Sequence, residues 1–318
     1  MTRVDRKNPN AKNFGLGSKN LFHAGRLALH EGMASHASRA TMTDRWQLFC
    51  AYAKTELHIS DMRRITSEHL QKYADHLLNR LAGDEISPAT AQNLLSVVNR
   101  VLECARGDRL VHLDPVRGAG LPNRSGIATE QHAMPQAEHD QLKQRVPERL
   151  AAQLDLQRTL GLRFEESSKL DARALLTQAQ DRGVIRIKDG TKGGRARDIP
   201  IISEHQMTAL AQAAELQGQH RSLIPAELSY AQYRAACYQH GVAFHRERHA
   251  YAQDRYAVMA GAACPVEAGV PHTRHHRYLA EQLGLSVPAA RELDRAVRLQ
   301  IAEELGHGRI HVTNSYLG

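Results

Sequence analysis

Apolar residues recur at helical intervals along most of this chain. Leu21, Ala24, Leu27 and Leu29 mark a first amphipathic segment, and Thr41 to Leu57 carries Trp46, Phe49, Cys50 and Tyr52 on one face. Ser67 to Leu81, opened by a capping residue at Thr66 or Ser67, repeats Leu70, Tyr73, Leu77 and Leu81. Ser87-Pro88-Ala89-Thr90 joins a capping side chain to proline at the first helical position, and leads into Leu94, Leu95, Val98, Val101 and Leu102. These four segments predict a helical domain over residues 17–113.

The apolar period then breaks. From Asp114 to Pro135 the chain is rich in Pro, Gly, Arg and Ser, which predicts an interdomain linker carrying Arg117 and Arg124. Beyond it, residues 136–318 predict a second domain. Gln136 to Leu160 reads as a helix pair or one broken helix, and a turn at 159–166 leads into another helix through Leu170. Two short β runs follow, Val184-Ile185-Ile187 and Ile199-Ile201-Ile202, around a Gly- and Lys/Arg-rich connection from Lys188 to Arg197, which is a hairpin signal. Helices return at Glu204 to Gln217, Tyr230 to Tyr238, Phe244 to Met259 and Arg291 to Glu304. Residues 261–290, with three prolines and the cluster His272, His275, His276, read as an irregular, solvated insertion.

The fold class is therefore mainly α with a small β-sheet, in two domains. At 318 residues each domain has length enough for its own core. Lys and Arg number 42 against 34 Asp and Glu, for a formal charge of +8, so a polyanion such as nucleic acid is the leading partner. Aromatic residues make up only 5 %, which argues against a base-stacking single-strand binder. Residues 1–16 form a basic arm with Arg3, Arg6, Lys7 and Lys12, expected to be disordered in isolation.

The four cysteines lack any CxxC spacing, so neither a disulfide framework nor a structural zinc site is implied. No signal peptide or membrane span is legible, and the expected compartment is the cytoplasm.

Candidate chemistry gathers late in the chain. The run LGHGRIHVTNSYLG places Tyr316 nine positions after His307, with Gly306 available to close the preceding helix. A tyrosine hydroxyl, with an ordinary pKa near 10, becomes a nucleophile only where neighbours take its proton and stabilise the developing charge. Transfer of a phosphoryl group to it needs cations around phosphorus, a proton acceptor and a donor to the leaving oxygen. Arginine suits the first role because its fork binds two phosphate oxygens. Arg163, after a glycine turn, and Arg248, in a helix beside His245, are the candidates, and Lys192 at the hairpin tip is a mobile cation able to reach a leaving oxygen.

The blocks GLRFEES (161–167), TKGGRARDIP (191–200), HRERH (245–249) and LGHGRIHVTNSYLG occur in the order of the signature blocks of the tyrosine recombinases, or phage integrases, and the chain from about residue 17 resembles that family. The resemblance implies a helical core-binding (SAM-like) N-terminal domain and a mixed α/β catalytic domain, forming a C-shaped clamp on duplex DNA. It implies that Arg163 and Arg248 grip the scissile phosphate, that Lys192 protonates the 5′-oxygen, and that His245 aids proton transfer. His307 would hydrogen-bond the phosphate, Tyr316 would form a 3′-phosphotyrosyl bond, and Glu166 would hold the framework. It further implies no cofactor and no metal, a homo-tetramer on paired sites working through a Holliday junction, service to a mobile element, and accessory DNA-bending or directionality proteins as partners.

Two rival readings use the same residues. His245 with His249, and His307 with His311, are i,i+4 pairs that could ligate zinc in a metal-dependent hydrolase, although HRERH is not HExxH and arginines flank both pairs. The other is a DNA-binding regulator of the same fold without chemistry. A topoisomerase-like relaxing enzyme shares the chemistry as a monomer. The 59 positions from Arg248 to His307 exceed the family's usual connection, so residues 261–290 are expected to pack outside the catalytic core.

Overall fold

The computed structural model describes residues 10–318, which divide into two compact units with the boundary between Ser125 and Gly126. Arg3, Arg6 and Lys7 of the basic arm lie outside the described residues.

In the first unit the capping signals set the helix starts. Asn20 caps α1 (Leu21–Gly32), Ser35 caps α2 (His36–Thr55) and Thr66 caps α3 (Ser67–Ala82), each accepting a backbone N–H two or three residues into its helix. Ser87 and Pro88 open α4 (Pro88–Arg106), and Gly107, at φ 76°, closes it in the left-handed conformation that lacks a Cβ penalty. Trp46, Phe49, Leu70, Leu77, Leu95 and Leu102 fill the core. Gly25 on α1 is required there, because a Cβ would run into the Trp46 indole.

Two expectations fail in this unit. Residues 12–16 are not a free arm: Lys12–Gly15 is a short 3-10 turn, and the fully buried Asn13 donates to Ser18 O and accepts from Met62 N at 2.9 Å. The stretch read as linker is divided, for Ala119 and Leu121 are buried in the first core while the boundary falls at Ser125. Gln92 holds that stretch by donating its side-chain amide to the Pro122 carbonyl, and Asn99 pairs its own amide with the backbone of Leu113 just before it. Side-chain amides that replace secondary-structure pairing leave no periodic trace in sequence.

The second unit begins with α5 (Gln136–Lys143) and α6 (Glu148–Leu160), separated near Pro147. Gly161, at φ 61°, ends α6 and turns the chain into α7 (Phe164–Lys169). Helix α8 (Ala172–Arg182), capped by Asp171, was not anticipated from the apolar pattern. Strands β1 (Val184–Ile187) and β2 (Arg197–Pro200) pair antiparallel, with Ile185 opposite Ile199 and Ile187 opposite Arg197. The second strand therefore starts at Arg197 and stops at Pro200, earlier than expected, and Ile202 is exposed. Proline has no N–H to extend a ladder.

Helices α9 (Glu204–Gln217), α10 (Tyr230–Tyr238) and α11 (His245–Ala260) follow, then α12 (Pro265–Ala268), α13 (His275–Leu283), α14 (Val287–Glu304) and α15 (Asn314–Leu317). Residues 261–290 are thus mostly short helices joined by tight turns, contrary to expectation. Their Pro and Gly residues are helix boundaries: Pro265 and Pro288 lie in first turns, while Gly269 and Gly284 are left-handed caps. Nor do they pack outside the core, since Cys264, Leu279, Ala280 and Ala290 share one apolar cluster with Tyr251, Tyr256, Val297, Ile301 and Tyr316. His275 is 1 % exposed rather than solvated. No described helix is long and apolar enough to cross a membrane.

Candidate active site

Helix ends build this site. The end of α14 is a Schellman turn in which Gly306 N bonds Glu303 O and His307 N bonds Ala302 O, and Gly306 adopts φ 68°. That turn leaves the Leu305 carbonyl free of the helix and projects His307 from its end. Arg163 stands just after the left-handed turn at Gly161, as N-cap of α7, and its own N–H is taken by Glu166 Oε2 at 2.7 Å. His245 and Arg248 lie on the first turn of α11.

The Leu305 carbonyl accepts from both arginines, Arg248 Nη2 and Arg163 Nη2, the latter at 3.4 Å, so residues 142 and 57 positions away meet at one oxygen. Arg248 is fully buried. Its Nη1 donates to the Gly161 carbonyl, its Nη2 lies 3.4 Å from His307 Nε2, and its Nε donates to the Tyr316 hydroxyl at 3.3 Å. Because guanidinium can only donate, Nε2 of His307 accepts and a neutral ring carries its proton on Nδ1.

Carbonyls, an imidazole and a phenol surround Arg248, and no carboxylate bonds to it among the described residues. Burial, partly offset by Tyr316 and reinforced by Arg163 and Arg197, lowers the Arg248 pKa to about 10, which leaves it charged at neutral pH. A charge buried without a formal counter-ion is costly, and an anionic ligand relieves that cost.

Tyr316 is 4 % exposed and enclosed by histidines. Its ring centroid lies 5.7 Å from those of His245 and His307 and 4.8 Å from that of His249. Burial first, then Arg248, Arg163 and Arg197, pushes His307 down to about 3. Burial first, then His245, His132 and Arg248, lowers His249 to about 4. His245, the most exposed of the three, moves in the same direction through partial desolvation and then Arg248 and Arg163. Three neutral imidazoles therefore surround the phenol at pH 7; the acceptor nitrogen of His307 is taken by Arg248, which leaves His245 and His249 as the rings able to accept its proton.

Glu166 is the framework carboxylate. Fully buried, it accepts from Arg163 Nη1 at 2.8 Å, and from Arg197 Nη1 at 2.8 Å and Nη2 at 2.7 Å. Despite burial, the bonds and charge of Arg197, with Arg163 N–H and Arg248, hold its pKa at about 2.

The structure thus brings together Arg163, Glu166, His245, Arg248, His307 and Tyr316. Lys192 is apart: it is exposed in a 3-10 turn between β1 and β2, and no bond among the described residues joins it to the others. Sequence reasoning missed Arg197 and His249. In sequence Arg197 belongs to the hairpin connection, but its position opposite Ile187 at the end of β1 turns it inward to Glu166 and the Glu304 carbonyl, 2.6 Å from its Nε. His249 was weighed only as a zinc ligand, yet its i,i+4 spacing from His245 puts it on the Tyr316 face of α11. Among the described residues no three His, Cys, Asp or Glu side chains form a group able to hold a metal ion, so the zinc reading lacks a donor set.

Residues 120–254 match the family model described as Integrase. No curated protein sequence matches the chain significantly. The structure of the Tn1549 transposon integrase in complex with a circular intermediate DNA aligns with TM-score 0.57 and 12 % identity, covering 95 % of this chain and 96 % of that one. The lambda integrase dimer bound to a COC′ core site gives TM-score 0.51 and 15 % identity, over 87 % of this chain and 79 % of that one. The lambda integrase tetramer bound to a Holliday junction gives 0.50 and 13 %, over 86 % and 76 %. The chain has the fold of these integrase structures.

Proposed function

We propose that this protein is a tyrosine-type DNA strand transferase, a site-specific recombinase that cleaves and rejoins duplex DNA through a covalent phosphotyrosyl intermediate. The observation that carries the reading is the hydroxyl of Tyr316 resting 3.3 Å from Nε of a buried guanidinium that no carboxylate among the described residues binds. A nucleophile and an anion-seeking cation in contact fit attack on a phosphodiester.

In the proposed reaction Arg248 and Arg163 take the nonbridging oxygens of the scissile phosphate, with His307 as a further hydrogen-bonding group. Tyr316 Oη bonds to phosphorus while its proton passes to His245, and the bond from phosphorus to the 5′-oxygen breaks as Lys192 gives that oxygen a proton. Attack by the 5′-hydroxyl of a second strand reverses the step and frees Tyr316. The phosphotyrosyl bond conserves the phosphodiester's energy, so strands exchange without a nucleotide cofactor. Lys192 must travel with its hairpin to take part, in keeping with its exposure.

Double-stranded DNA is the proposed substrate, and four copies on two sites the proposed assembly. The matched lambda integrase tetramer bound to a Holliday junction supports that assembly by analogy of fold. Phosphate contacts would dominate affinity, which then falls steeply with salt. Mobile-element service and action in the cytoplasm belong to the same proposal.

The test uses duplexes from the DNA flanking this gene's own locus. Wild-type protein should give a denaturant-resistant protein–DNA adduct in the presence of chelator. Tyr316→Phe should bind equally and give none. Binding without an adduct in the wild type supports the regulator reading instead, and chelator-sensitive cleavage that survives in Tyr316→Phe supports the hydrolase.

A further inference from the structure

Tyr316 sits on a helix of four residues, α15 (Asn314–Leu317), and so short a helix has no stability of its own in water. Its hold on the second unit comes from elsewhere. One side chain, Arg298 on α14, reaches both ends: Nη1 donates to Asn314 Oδ1 and Nη2 to Gly318 O, each at 3.0 Å. The fork geometry of guanidinium suits two acceptors on either side of one turn, whereas an ammonium is a single point.

Arg298 is itself fixed. It is 4 % exposed, and its Nε donates to Asp294 Oδ1 at 2.8 Å. The same oxygen accepts the Tyr256 hydroxyl at 2.7 Å and lies 2.8 Å from His275 Nε2, while His276 Nε2 lies 3.3 Å from Oδ2. The two histidines come from α13, in the segment that sequence alone suggested was an outlying loop. Three donors converging on one buried carboxylate oxygen restrict the geometry of the group, while Nδ1 of His275 has no hydrogen-bond partner among the described residues.

We propose that Arg298 is a positioning residue for the nucleophile, and that the segment 261–290 serves to seat it. Asp294 and His275 set the guanidinium, the guanidinium clamps α15 at both ends, and the clamp delivers the Tyr316 hydroxyl to Arg248. Arg298 touches neither DNA nor phosphorus in this account. The inference rests on Tyr316 being the nucleophile.

Two variants test it: Arg298→Met, which keeps the apolar stem and removes every donor, and Arg298→Lys, which keeps the charge without the fork. In the free protein, amide hydrogen exchange over 314–317 should accelerate about tenfold or more in both, with protection elsewhere in the second unit retained. On nicked duplexes from the gene's flanking DNA, single-turnover adduct formation should slow by about 10- to 100-fold, since a displacement near 1 Å costs on that order. Affinity for the same duplexes should stay within about twofold.

An undiminished adduct rate in Arg298→Met overturns the inference alone, as does unchanged exchange over 314–317. Loss of protection, affinity and rate together reveals a merely structural residue and also overturns it. A wild type that forms no adduct overturns the recombinase reading and this inference with it.

Discussion

Arg197 and Glu166 form a buried two-pronged ion pair, with Nη1 to Oε1 at 2.8 Å and Nη2 to Oε2 at 2.7 Å, although 31 positions separate them. The pair ties β2 to α7, and Glu166 passes the constraint to Arg163 through a further bond at 2.8 Å. Arg163 is the most exposed member of this group, with 24 % of its side chain exposed.

Arg197→Met should destabilise the second unit by about 3 kcal/mol, because it leaves Glu166 buried with half its partners. Denaturant unfolding checks this. The carboxylate, held at about 2 in the folded state, contributes stability that is present above its ordinary range near 4.5 and lost as pH falls toward 2. The acid limb of a stability profile should therefore flatten in Arg197→Met. A variant as stable as wild type would show that Arg163 alone suffices.

His139 gives a slope of opposite sign. It is 2 % exposed between Glu247, 2.9 Å from Nδ1, and Asp155, 3.0 Å from Nε2. Burial opposes its charge, but bonds to Asp155 and Glu247 outweigh burial and raise it to about 8. Stability from this group is complete below the unfolded pKa near 6.5 and is lost as pH rises through 8, a change of about 1–2 kcal/mol. Melting temperatures measured between pH 6 and 9 should fall in wild type, and that alkaline fall should weaken in His139→Gln.

The histidines around Tyr316 should remain neutral where ordinary histidines titrate. With His307 at about 3 and His249 at about 4, their ring proton resonances in the free protein should not move between pH 8 and about 5. Unfolded chains bind these protons from about pH 6.5 downward, so stability falls as pH drops from 6.5 toward 4. A midpoint near 6.5 for either ring in a nuclear magnetic resonance titration would refute this enclosure.

Lys192→Ala should slow adduct formation on ordinary duplex by about 100-fold, within the range for loss of a general acid. A substrate with sulfur in place of the bridging 5′-oxygen, whose thiolate leaves without a proton, should restore most of the rate. Equal defects on both substrates would deny Lys192 that role.

Much of this protein was legible in its sequence. Capping residues and the apolar period marked α3, α4 and α9 because those signals act within a few residues of themselves, and the blocks around Arg163, Arg248, His307 and Tyr316 named the side chains that meet. Local chemistry was also misread where it was ambiguous: prolines and glycines at 265, 269, 284 and 288 are helix boundaries, yet in sequence they look like loop. What tertiary structure alone decided is who neutralises whom. Arg197 buries its charge on Glu166 while Arg248 buries its own against carbonyls and a phenol, and nothing in either residue's neighbourhood along the chain says which groups will surround its charge. The pairing energy of a buried charge depends on distance in space and on the loss of water around it. Both are set only when α6, α7, α11, α14 and the β1–β2 pair close upon one another.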